Sequence, residues 1–86
     1  MKSEHKDLYK QIDEILWHDW DPIGINDKEN IRDEYYGYIP QIFSLKIQGV
    51  DKNKIAEYLY EMETVNIGTD GNKQNCEFVA QKIINL

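Results

Sequence analysis

Eighty-six residues, 41% of them hydrophobic and ten of them aromatic, suffice for one packed core but not for two. The 30% charged content excludes a membrane protein, and the net charge of −6 argues against a nucleic-acid binder, whose affinity for phosphates comes from Lys and Arg displacing counterions. The charge is uneven, since residues 1–43 hold ten acids and five bases and residues 44–86 six and five, so a partner with a basic surface fits best.

The N-terminal segment passes from Met1-Lys2-Ser3-Glu4 straight into a charged helical pattern, without the apolar run of a signal peptide, and a cytoplasmic protein is expected. Leu8, Ile12, Ile15 and Leu16 recur at helical spacing and predict a first helix from about Glu4 to His18, with Ser3 as its N-cap. Pro22 disfavours the α region at Asp21 and stops it. Asp21-Pro22-Ile23-Gly24 then fits a type I turn: Asp first, to bond amides ahead; Pro second, with φ preset; Gly fourth.

Asn26 and Glu29 stand at capping-box spacing and predict the start of a second helix. Its apolar positions run from Ile31 through Tyr35, Tyr38, Ile39, Ile42 and Phe43 to Leu45, with a stop at Gly49. Gly37 and Pro40 interrupt it, because Pro40 offers no N–H to the carbonyl of Tyr36; a kink or a split near Gly37/Pro40 follows. Asp51 caps a third helix, with Val50 and Ile55 as a hydrophobic staple and Ile55, Leu59 and Met62 as its buried stripe. Gly68 suits a left-handed helix end and Thr69-Asp70-Gly71 a turn. A fourth helix begins at about Asn72 and buries Cys76, Val79, Ala80, Ile83 and Ile84. The expected fold is all-α, a compact antiparallel bundle of four helices in a single domain spanning 1–86.

The segments Ile15-Leu16-Trp17, Trp20-Asp21-Pro22-Ile23-Gly24-Ile25, Arg32-Asp33-Glu34-Tyr35, Tyr38-Ile39-Pro40 and Ile55-Ala56-Glu57-Tyr58-Leu59 together resemble a family of small bacterial proteins of the YugE-like type, a domain of unknown function. The resemblance spans residues 15–59 and is most specific in the Trp-Asp-Pro-Ile-Gly string. It implies a compact helical fold in a bacterial cytoplasm and carries no activity and no catalytic residue.

The residues offer little chemistry. His18, Asp19 and Asp21 are the one place where histidine and carboxylates crowd together, the donor types of a metal or small-ligand site, but their spacing matches no metal motif. His5 and His18, at opposite ends of one helix, stand roughly 20 Å apart and cannot share an ion. Their bland roles are His18 at the negative end of the helix and Asp21 on turn amides. Cys76, the only cysteine, excludes a disulfide and sits on an apolar helix face, where burial is expected rather than nucleophilic reactivity. Ser3 and Ser44 lie in no nucleophile motif and the glycines form no phosphate loop, so no catalytic residue, metal or cofactor is assigned and the protein is not expected to be an enzyme.

The tyrosines are more informative. Tyr35, Tyr36 and Tyr38 cannot all face inward on a helix, and Tyr58 and Tyr60 pose the same difficulty. Like-charge pairs at i,i+4 (Lys6/Lys10, Lys28/Arg32, Glu29/Asp33, Glu57/Glu61) each weaken an isolated helix slightly. The expectation is a protein-interaction module, an adaptor or an immunity-type inhibitor, using Trp20, Asp33, Tyr36 and Tyr38 toward a basic partner or for self-association. The alternative is a metal- or small-ligand-binding protein built on His18, Asp19 and Asp21.

Overall fold

Residues 3–86 are described by a computed structural model of the chain. Four α-helices, α1 (Ser3–Ile15), α2 (Ile39–Gln48), α3 (Lys52–Glu61) and α4 (Lys73–Ile84), enclose one core, with no strand among the described residues. Ser3 opens α1; the side chains of Ser3 and Glu4 lie outside the described part, and with them the cap expected of Ser3.

Two helices do not end in ordinary α-turns. After Ile15 the chain makes a π-turn, Leu16–Trp20, closed by the Asp21 N–H on the Leu16 carbonyl at 3.0 Å. After Glu61 it makes another, Met62–Asn66, closed by the Ile67 N–H on the Met62 carbonyl at 2.9 Å. The first stands where Leu16, Trp17 and Trp20 must all be buried within five residues; the second carries the buried Glu63. Helix one therefore reaches past His18, but not as a regular α-helix.

The largest departure from expectation lies between the elbow and α2. Asn26 and Glu29 form no capping box and no α-helix begins there; Lys28 precedes a single 3₁₀ turn, Glu29–Ile31, without a side-chain cap. From Lys28 to Ile39 the backbone bonds run i to i+3: Arg32 to Glu29, Glu34 to Ile31, Tyr36 to Asp33, Tyr38 to Tyr35 and Ile39 to Tyr36. The segment is rich in Asn, Asp and Gly, which favour turns over helix interiors, and its ends are fixed by tertiary contacts described below. A repeat of three residues gives it three edges. Arg32, Tyr35 and Tyr38 share the inner edge, buried or half-buried, while Asn30, Asp33 and Tyr36 share an outer one and are all exposed. Lys28/Arg32 and Glu29/Asp33 are consequently not helical neighbours.

The interruption expected near Gly37/Pro40 is present, but only the part that follows it is an α-helix. α2 starts at Ile39 and places Pro40 in its first turn, where the missing N–H has no helical partner to lose. Gly49 closes it at φ 76°, as its position predicts. Asp51 caps α3 through its carboxylate and the Lys54 N–H (3.1 Å), and Asn72 caps α4 through the Asn75 N–H (3.0 Å). Gly68 takes the expected left-handed conformation. Gly71 is needed for a further reason: a Cβ there would stand 2.6 Å from carbons of both Thr64 and Tyr60.

The core holds Ile12, Leu16, Trp17, Ile42, Ile55, Leu59, Val79 and Ile83 at no more than 1% exposure, so all four helices contribute to it. Lys46 of α2 donates to the carbonyl of Ile84 at 2.7 Å, a cation at the negative end of α4. The radius of gyration, 12.2 Å, is that of a compact domain of this length, for which about 12 Å is expected. No described helix is long and apolar enough to cross a membrane.

A proline in a helix interior costs about 3 kcal/mol, whereas one in the first turn costs little. Pro40→Ala is accordingly expected to change unfolding free energy by less than about 1 kcal/mol in urea titration. A gain of several kcal/mol would show that the proline interrupts a continuous helix.

Candidate functional site

Two carboxylates turned inward organise the end of the molecule where the elbow, α3 and α4 meet. Asp21 is the only described non-glycine residue with positive φ (30°), a conformation that Asp tolerates better than most. Its carbonyl closes the elbow by accepting the Gly24 N–H at 3.1 Å. Its carboxylate accepts the N–H groups of Ile25 (2.8 Å) and Asn26 (3.2 Å), the turn amides expected of it, and also the Tyr35 hydroxyl at 2.8 Å. That last bond ties the 3₁₀ segment to the elbow and defines its inner edge. Burial first, and the carboxylate of Asp21 second, hold the Tyr35 phenol well above the ordinary tyrosine value.

Glu63 is the buried charged residue among the described ones, 3% exposed in the second π-turn. Its Oε1 accepts the indole N–H of Trp20 at 3.0 Å and the thiol of Cys76; its Oε2 accepts the Asn72 N–H at 2.9 Å. Its carbonyl accepts both the N–H and the hydroxyl of Thr69, at 2.8 and 2.9 Å. One residue thus joins the end of α1, the end of α3 and the start of α4. Asn75 and Lys82 reinforce the joint, Asn75 by donating to the Asp19 and Trp20 carbonyls and Lys82 by pairing with the Asp19 carboxylate at 3.0 Å.

Cys76 lies in this cluster at 1% exposure, as its place on the apolar face predicts, and burial followed by the neighbouring Glu63 pushes its thiol up to about 12. A thiol so held is no nucleophile at neutral pH. His18, Asp19 and Asp21 do not converge. His18 pairs with Glu14 one turn back at 3.2 Å rather than with the helix end, Asp19 turns to Lys82, and Asp21 turns inward. No three His, Cys, Asp or Glu side chains among the described residues are grouped to hold a metal ion.

The four residues expected at an interface separate. Trp20 is 2% exposed, spent on Glu63 and on the rings of Tyr35 and Tyr38, each 5.3 Å away, so it anchors the core and is not available to a partner. Tyr38 is half-buried against it, its phenol raised by burial and by the charge of Glu34. Asp33 and Tyr36 do lie on the surface, together on the outer edge of the 3₁₀ segment, with Tyr36 47% exposed. Asp27, Glu29 and Glu34 are exposed as well; Lys28 stands 3.5 Å from Asp27, while Lys6 and Lys10, which line the same groove as Tyr36, are in no described ion pair. Arg32 forms a two-pronged pair with Asp13 (2.9 and 3.2 Å) and reaches Glu14 at 3.2 Å. Its guanidinium covers the Trp17 ring at 4.9 Å; burial alone would lower its pKa, and the two carboxylates more than reverse that. Tyr36 and Ile39 line a groove of about 860 Å³ against Tyr9 of α1, rimmed by Lys6, Asp7, Lys10 and Asp13.

Glu63 was hidden among polar neighbours in the sequence, yet it carried a signal: Ile55, Leu59 and Glu63 step by four residues and put a carboxylate in line with the buried stripe. Tyr36 was expected at the surface; what the tertiary structure adds is the repeat of three that sets it on one edge with Asp33.

Compared with family models, curated proteins and solved structures, the chain matches none.

Glu63→Ala leaves a cavity and orphans the Trp20 and Asn72 donors, and a loss of about 3 kcal/mol is expected in urea unfolding followed by Trp fluorescence. A loss below about 1 kcal/mol would contradict the role given to this carboxylate. The thiol supplies a pH test. Its folded value is raised above the ordinary value of 9.0, so the folded chain keeps a proton that the unfolded chain releases. The associated stability is full below about pH 9 and falls as pH rises toward about 12, by up to about 1.4 kcal/mol per pH unit. Cys76→Ala makes that alkaline slope shallower between about pH 9 and 12, the raised Tyr35 phenol supplying the remainder, and native Cys76 resists a thiol reagent at neutral pH until urea unfolds the chain.

Proposed function

We propose that the protein is a non-enzymatic interaction module, an adaptor or an immunity-type inhibitor, which engages a basic partner through the outer edge of the 3₁₀ segment. The observation that carries this reading is the pairing on one edge of an exposed apolar ring, Tyr36, with exposed Asp33, beside an aromatic groove. Tyrosine at a surface offers large contact area at low entropic cost, and Asp33 beside it has no described cation partner, since Arg32 is committed to Asp13 and Glu14. A partner presenting Lys or Arg beside an apolar anchor is complementary to that surface. The resemblance of the Trp20–Gly24 elbow to YugE-like proteins favours a bacterial, cytoplasmic setting.

Peptide display against the native protein is expected to enrich sequences that combine basic and apolar residues, with enrichment reduced at least about tenfold, or 1.4 kcal/mol, by Tyr36→Ala and by Asp33→Lys. Both positions are exposed, so both variants are expected to keep the wild-type melting temperature. Enrichment that ignores the two substitutions would refute this surface as the binding site.

A further inference from the structure

We propose that the groove between α1 and the 3₁₀ segment is a self-complementary interface on which a second copy of this chain docks about a two-fold axis. The inference rests on the reading above and names the partner. The groove is floored by the rings of half-buried Tyr9 and exposed Tyr36, with Ile39 sealed beneath them at 2% exposure. On the α1 side, Lys6 and Lys10 both line it. They are one turn apart on a regular helix, an arrangement that weakens α1 by itself and that an opposing carboxylate relieves. Asp7 shares that rim, but Asp13 is already paired with Arg32, so the α1 side retains an excess of positive charge.

The other flank is negative. Because the segment repeats every three residues, exposed Asp33 lies on the same edge as Tyr36, one turn before it, and no described cation pairs with it. The surface is therefore a positive strip, an apolar strip and a negative strip in sequence. A two-fold rotation about the middle strip lays Tyr36 of one copy against the Tyr9 ring of the other and sets Lys10 of each copy opposite Asp33 of its mate. An isologous contact needs this kind of self-complementarity. It also answers the objection from charge, since two chains of net charge −6 attract only where lysines meet carboxylates locally. A stable dimer needs about 800 Å² per copy, a modest share of the 5352 Å² of this surface.

The full chain is to be sedimented from about 10 µM to about 1 mM, a range that spans weak homodimers. A concentration-dependent monomer–dimer equilibrium is expected, weakened at least about tenfold by Tyr36→Ala, by Lys10→Glu and by Asp33→Lys. The discriminating arm mixes the Lys10→Glu and Asp33→Lys variants. Each alone sets like charges across the axis at both contacts. In the mixed pair the two introduced side chains, opposite in sign, face each other at one contact, and the native Lys10–Asp33 pairing survives at the other. Heterodimers are therefore expected to recover most of the wild-type affinity. A wild type that stays monomeric throughout, or dimers indifferent to these substitutions, or a mixture that fails to recover, would overturn the proposal. A monomer that still selects basic peptides through Tyr36 and Asp33 would overturn the second copy as partner while leaving the interaction module standing.

Discussion

The carboxylate of Glu63 is the point on which the arrangement of helices depends. Burying an ionisable carboxyl without a cation is expensive, and it becomes tolerable only when its oxygens are supplied with donors. Here the donors come from the indole at the end of the first π-turn and from a thiol and a backbone amide at the start of α4, two separate parts of the chain. The constraint works in both directions. Glu63 needs those groups, and the Trp20 N–H and the Asn72 amide would be orphaned without it. Trp17 shows the opposite case nearby: its indole N–H is buried with no hydrogen-bond partner, and its ring is capped by the Arg32 guanidinium instead.

Both ends of this joint are π-turns, and each delivers one partner of the Trp20–Glu63 bond. A widened turn inserts one residue and so re-aims the side chains that follow it, a device frequent at positions where a particular side chain must be placed. Packing against α4 then proceeds from the same point, since Asn75 and Lys82 grip the first π-turn through its carbonyls and through Asp19.

Asp21 plays the corresponding role on the surface side. By taking two turn amides and the Tyr35 hydroxyl, it fixes the elbow and the inner edge of the segment that follows. Once Tyr35 is held, the repeat of three residues dictates the remainder: Arg32 and Tyr38 fall inward, Asp33 and Tyr36 outward. That Asp33 and Tyr36 face solvent is thus a consequence of what the inner edge buries. The histidine and carboxylates that stand together in the chain, His18, Asp19 and Asp21, point three ways because each is claimed by a different neighbour.

Local chemistry was enough to read much of this protein from its sequence. The Asp51 cap, the start of α4 near Asn72, the stops at Gly49 and Gly68, the elbow closed by Asp21 and Gly24, and the buried face of α4 all depend on residues within a few positions of one another, and the structure agrees with each. The segment from Asn26 to Tyr38 could not be read in that way. Its apolar residues satisfy a helical period nearly as well as a period of three, and only the hydrogen bond from Tyr35 to Asp21, fourteen residues away, decides between them. Trp20 looked accessible beside its acidic neighbours until Glu63, forty-three residues on, drew it into the core. Sequence alone determined the approximate extents of three of the four α-helices, the glycine stops and the acidic balance; where the second helix begins, which aromatic rings are sealed inside and which edge faces solvent were decided by contacts between distant residues, because burial is a property of the assembled core and not of any one stretch of chain.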